Sequence, residues 1–283
     1  NGLYDTIRGG AKWITSNGTN SNTDTPTALQ KFNPNGFTLG DDSGAWGVNA
    51  SGATYVAWNW KAGGLPTINN DGTRTSIVSA NAAAGFSIVK WTGDGAAATI
   101  GHGLGGAPSL IIVKKFTGTS DWPVYSSGLT SAAYRLLLND AVAESTTNDE
   151  WNSTDPTTVS PFVFSVGNGG NVSGNGESFI GYCFADIAGY QKIDGYAGSN
   201  SSQTIPTGFA PRFVLIRTTS SEWWNIVDDK RNGTQTQRIF ANEPNAESPA
   251  SNDVILTSTG FTVVGGNISL NILNSNFIYL AIA

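Results

Sequence analysis

Few residues in this chain have the types and spacing that chemistry requires. Two adjacent aspartate pairs, Asp41–Asp42 and Asp228–Asp229, are the nearest thing to a general acid/base couple. Glycoside cleavage needs two carboxyl groups flanking one sugar bond, and neighbours on a strand point to opposite faces. The segment Gly101–His102–Gly103–Leu104–Gly105–Gly106 matches G-x-G-x-x-G in form. A dinucleotide loop must open a helix, whereas Ala107–Pro108 and an apolar strand pattern follow here. A flexible turn is expected, with His102 at the surface. Cys183 lies within an apolar run, and a catalytic thiol would need a histidine beside it. It reads as a buried, inert residue. One His and one Cys cannot supply the three or four ligands of a Cys/His zinc site. Asp41–Asp42 with Ser43 and Gly44 lack the acidic spacing of a calcium loop. No catalytic residue, metal site or cofactor is therefore expected, and the chain does not read as an enzyme.

The nine tryptophans are the remaining surplus. An exposed Trp on a polar β-sheet protein can stack on a pyranose ring. Most of these Trp read as core: Trp122 and Trp224 share one place in an internal repeat, and Trp58 shares another with Tyr182 and Leu280, which favours packing. Trp46 and Trp223 do not. Alternation along a strand puts Trp223 opposite Trp224, so an inward Trp224 leaves Trp223 facing out. Trp46 and Trp223 are the candidate ligand or partner contacts.

The repeat sets the elements that must position all of these. Tyr55–Val56–Ala57–Trp58–Asn59–Trp60 matches Phe179–Ile180–Gly181–Tyr182–Cys183–Phe184 and Phe277–Ile278–Tyr279–Leu280–Ala281–Ile282. Upstream lie Gly36–Phe37–Thr38–Leu39–Gly40, Phe164–Ser165–Val166–Gly167 and Gly260–Phe261–Thr262–Val263–Val264–Gly265. A front half appears only twice: Leu110–Ile111–Ile112–Val113–Lys114 before Trp122, and Phe213–Val214–Leu215–Ile216–Arg217 before Trp224. Asp5–Thr6–Ile7–Arg8 aligns with Asp228–Asp229–Lys230–Arg231, and both read as a turn closed by a surface ion pair. The middle unit has Ser126–Ser127–Gly128–Leu129 instead.

Short Val/Ile/Phe/Tyr/Trp runs between Gly/Asn/Ser/Thr clusters predict an all-β fold of tandem β-sandwich modules, jelly-roll or lectin-like. The reading is a back half-unit at 1–64, a linker at 65–80, and full units at 81–190 and 191–283. The half-unit would expose a sheet edge unless upstream residues or another chain complete it. A start at Asn1 and the absence of Met predict a processed or partial chain.

Composition narrows the partners. A net charge of −6 argues against a nucleic-acid face. No apolar run reaches the ~18 residues of a membrane span, so no membrane insertion is expected.

The repeat wording also resembles a known family. Phe32–Asn33–Pro34–Asn35–Gly36–Phe37, Ala53–Thr54–Tyr55–Val56–Ala57–Trp58–Asn59–Trp60–Lys61–Ala62 and Gly101–His102–Gly103–Leu104 with Ala107–Pro108 carry the likeness. They are similar to a tandem domain of uncharacterised function in virion proteins of marine tailed bacteriophages, including cyanophages and pelagiphages. The resemblance implies a structural component of the extracellular phage particle, a tail fibre or a capsid-attached decoration. It implies partnership with itself (a homo-oligomer, a trimer favoured) and with other virion proteins. A host cell-surface glycan bound through Trp46 or Trp223 is the alternative, and a polysaccharide depolymerase a weaker one.

Overall fold

A computed structural model describes residues 1–41, 47–146, 149–151, 159–232, 237–247 and 253–283. The protein is all-β, built from several antiparallel sheets. The first 40 residues form a sheet of β1 (Gly2–Asp5), β2 (Gly9–Thr15) and β3 (Thr23–Asp24), and a hairpin of β4 (Leu29–Asn33) and β5 (Gly36–Leu39).

The middle of the chain supplies β6 (Thr67–Asn69), β7 (Ser76–Asn81), β8 (Phe86–Thr92), β9 (Ala98–Gly101), β10 (Leu110–Lys115), β11 (Pro123–Ser126), β12 (Leu136–Leu137), β13 (Val163–Val166) and β14 (Ser178–Phe184). Seven of these make one sheet in the order β12-β11-β10-β14-β8-β7-β6, while β9 pairs with β13. The last third supplies β15 (Gln191–Ala197), β16 (Gln203–Pro206), β17 (Phe213–Thr218), β18 (Asn225–Asp228), β19 (Ile239–Phe240), β20 (Val254–Thr257), β21 (Gly260–Val263) and β22 (Asn276–Ile282). They form a sheet in the order β15-β22-β17-β18-β19 and a second one, β16-β21-β20. Among the described residues the α-helices are single turns, α1 (Gly170–Ser173) and α2 (Asp229–Asn232).

The expected linker at 65–80 contains two of these strands. β6 and β7 extend the seven-stranded sheet beyond β8, with Val78 opposite Val89. The Asp71–Gly72 turn signal there closes a hairpin, because Ile68, Ile77 and Val78 flank it with strand-forming side chains.

β14 and β22 read as unbroken apolar runs because both faces of each strand are buried. Ile180, Tyr182 and Phe184 point into one core, and Phe179 and Cys183 into another. Ile278, Leu280 and Ile282 enter that same first core, while Phe277, Tyr279 and Ala281 enter a third. The first core joins the whole chain. It holds Ile14 from β2, residues of both large sheets, and the half-buried Trp58 and Trp60 packed against them. The segments 81–190 and 191–283, expected as separate modules, thus share a core with each other and with the first 64 residues.

Tyr55–Trp60 differs from its two counterparts. The match predicts a strand like β14 and β22, but the segment enters no ladder, and residues 54–60 make no backbone–backbone hydrogen bond among the described residues. Its counterparts are strands because each has a partner on either side. β14 lies between β8 and β10, and β22 between β15 and β17.

Candidate functional site

The Asp5 and Asp228 motifs are structural turns, while Asp42 of the other acidic pair lies outside the described residues. Asp5 Oδ1 accepts from the amides of Ile7 (3.0 Å) and Arg8 (2.8 Å), and Arg8 Nε donates to Oδ2 at 2.5 Å. Asp228 Oδ1 accepts from the amides of Lys230 (2.9 Å) and Arg231 (3.0 Å), and Arg231 Nε donates to Oδ2 at 2.7 Å. Each arginine also donates Nη2 to the carbonyl two residues before its aspartate, Leu3 or Ile226. Neither ion pair is a surface one, as the sequence suggested. The Asp5–Arg8 side chains are each 1% exposed, and Arg231–Asp228 are 11% and 4%. The reason is packing. Each turn is pressed against the closing segment of another repeat unit.

These contacts follow a cyclic order. Tyr182 of β14 donates its hydroxyl to Asp5 Oδ2 at 2.9 Å. The middle turn lacks the ion pair, and its Gly128 sits so close to β22 that a Cβ there would lie 2.9 Å from Ile278. The third turn returns to the first unit, with the Arg231 guanidinium over the Trp58 ring at 5.8 Å. Burial works against the Asp228 carboxylate, but Arg231 and the two amides outweigh it and hold its carboxyl below the usual range.

The cation that ends each apolar strand has a matching role. Lys114 is fully buried, lies 5.5 Å from the Trp122 ring, and donates to the carbonyls of Ser120 (2.6 Å) and Thr19 (2.9 Å). Arg217 is likewise buried, 5.9 Å from the Trp224 ring, and donates to the carbonyls of Val142 (2.7 Å) and Ser220 (3.1 Å). In both, one carbonyl comes from the preceding unit. Burial pushes the Lys114 ammonium down to about 8 and the Arg217 guanidinium down to about 10.

The remaining reactive side chains are enclosed. His102 is not at the surface but fully buried, since the loop folds inward over Phe164. Nδ1 accepts from the Leu104 amide and Nε2 faces the Ser160 carbonyl at 3.1 Å, which suits a neutral ring; burial lowers its pKa. The loop runs into β10, without the helix a nucleotide would need. Cys183 is buried, and its thiol is pushed up to about 12. Among the described residues, no cluster of His, Cys, Asp and Glu could hold a metal.

Of the two tryptophan candidates, Trp46 lies outside the described residues. Trp223 is 40% exposed and leans edge-on against Phe240 at 4.8 Å. Trp224 beside it is buried and donates Nε1 to Leu137 O at 2.7 Å, so the two point to opposite sides.

Sequence reasoning missed a third place. A cleft of about 220 Å³ opens between Trp58 and Trp60 on one side and Tyr190, Arg212 and Asp229 on the other. Asp229 faces Arg212 (4.0 Å) and Lys230 (3.3 Å) there. Recurrence of Trp58 at a packing position concealed this. The i, i+2 spacing of Trp58 and Trp60 was the available signal, because it puts both rings on one side of an extended chain.

A family model described as "Domain of unknown function (DUF7483)" matches residues 1–283, and the chain belongs to that family. No curated protein and no solved structure matches it.

Proposed function

We propose that this chain is a structural component of a bacteriophage particle, a tail fibre or capsid-attached appendage, built from tandem β-sandwich repeats and working without catalysis. One observation carries the reading. The side chains with the most chemical potential serve repeated packing contacts. Two aspartates close buried turns, two cations are lidded by carbonyls of a neighbouring unit, and the thiol and imidazole lie in cores. That use suits a part whose task is to hold shape. Low charge fits the same task in seawater, where salt screens surface ion pairs. As a particle component, the chain would associate with itself, a trimer favoured, and with other virion proteins.

The test is location and mass. Antibody labelling of purified particles should mark a discrete appendage, and native mass spectrometry should give a closed homo-oligomer. A monomer absent from particles would sink the proposal.

Host-glycan contact is a second reading, favoured by the exposed ring of Trp223. Trp223→Ala should then lower adsorption to host cells while costing under about 1 kcal/mol of stability. Unchanged adsorption removes it.

A further inference from the structure

The unpaired segment at residues 55–60 has the side-chain pattern of a central strand and the environment of an edge. Its counterparts show what is absent. Phe179 in β14 and Phe277 in β22 are both 0% exposed, while Tyr55 at the same position is 50% exposed. The next outward residues, Ala57 and Asn59, are exposed, whereas their counterparts Gly181, Cys183, Tyr279 and Ala281 are all buried. An extended chain without ladder bonds to the described residues on either side offers a double row of amides and carbonyls for strand addition.

The two complete units specify the occupant. On one side of each closing strand runs an antiparallel strand bearing an aromatic ring. Trp91 of β8 stacks on Phe179 at 5.5 Å and donates Nε1 to Val172 O, and Tyr196 of β15 stacks on Phe277 at 4.9 Å and donates its hydroxyl to Leu270 O. On the other side runs the apolar strand that ends in the buried cation, β10 or β17. That strand leads directly into β11 or β18. β1 holds their place, because the Ser16 amide bonds to Asn1 O as Leu138 does to Trp122 O and Ala241 to Trp224 O. Asn1 therefore occupies the position of Trp122 and Trp224.

We propose that residues 55–60 are the acceptor for two strands of a segment with this front-half pattern, entering β1 from its N-terminal side. One strand of it places an aromatic ring on Tyr55. The other lies between β1 and residues 55–60, turning three pieces into one sheet. The inference rests on the repeat correspondence alone and stands or falls independently of a role in a phage particle.

Hydrogen exchange read by mass spectrometry tests it. In the 283-residue protein, amides at 55–60 should exchange about 100-fold or more faster than those at 179–184, which lie in a full ladder. Fusing a copy of residues 84–121 ahead of Asn1 supplies the front half up to the Trp122 position. Exchange at 55–60 should then slow by about 10-fold or more while 179–184 stays protected as the internal control of folding. A second fusion carrying residues 189–223 guards against one graft failing to fit. Strong protection of 55–60 in the unmodified protein would overturn the proposal, as would unchanged exchange in both fusions when 179–184 is protected. Protection by the 84–121 peptide added separately, with none from either fusion, would also overturn the N-terminal entry.

Discussion

Residues 55–60 and β14 carry nearly the same pattern, yet one is a half-exposed extended chain and the other the centre of a seven-stranded sheet. Both send alternate side chains into the shared core: Trp58 and Trp60 from one, Ile180, Tyr182 and Phe184 from the other. The core-facing rings of the first are half-buried where those of the second are buried, and the larger difference lies on the opposite face and along the edges. There Phe179 has Trp91 to stack on and Tyr55 has no counterpart ring among the described contacts. The comparison separates two contributions usually seen together. Core packing alone holds a segment in place, and ladder partners make it a strand.

Truncation measures that difference most directly. Phe179→Ala or Phe277→Ala should cost about 3–5 kcal/mol in denaturant unfolding, while Tyr55→Ala should cost under about 1 kcal/mol. Equal losses at Tyr55 and Phe179 would mean that Tyr55 is covered in solution.

The turns contacting these segments give the next effect. Asp5→Ala leaves the Arg8 guanidinium buried without its carboxylate and removes the acceptor of the Tyr182 hydroxyl. The expected loss is about 3–5 kcal/mol, and Asp228→Ala should lose less because Arg231 keeps some access to water. If the two losses match, neither the tyrosine contact nor the tighter burial adds to the Asp5 turn.

Lys114 gives a smaller, pH-dependent effect. Its folded pKa of about 8 lies below its ordinary 10.5, so the unfolded chain binds the proton more tightly. Stability should therefore rise between about pH 8 and 10.5, by a few kcal/mol at most at ~1.4 kcal/mol per unit. Lys114→Met should remove that rise. A Lys114→Met profile parallel to the parent's would assign the slope to other groups.

Trp223→Ala is the mildest change. The ring is partly exposed and loses chiefly its contact with Phe240, so under about 1 kcal/mol is expected by thermal or denaturant unfolding. A larger loss would place Trp223 in the packing and weaken the glycan reading.

Much of the fold was legible because its signals are local. Alternating apolar residues and Asn-Gly or Asp-Gly turns announced an all-β chain. Recurring words match β10 with β17 and β14 with β22. The Trp223/Trp224 pair followed from strand geometry alone. His102 reads as a surface residue and is buried, since nothing in a Gly-rich loop says that it folds inward over Phe164. The cleft beside Trp58 was equally hidden, because it forms between residues more than 100 positions apart.

By itself, then, the sequence determined the strand class, the repeat and the scarcity of reactive groups, all set by side-chain type and spacing along the chain. Only the tertiary structure decided that the Asp–Arg turns are buried, that the units share one core, and that residues 55–60 pair with no described strand. Those depend on which surfaces meet, and a surface ion pair and a buried one have the same spelling until a neighbouring unit covers it.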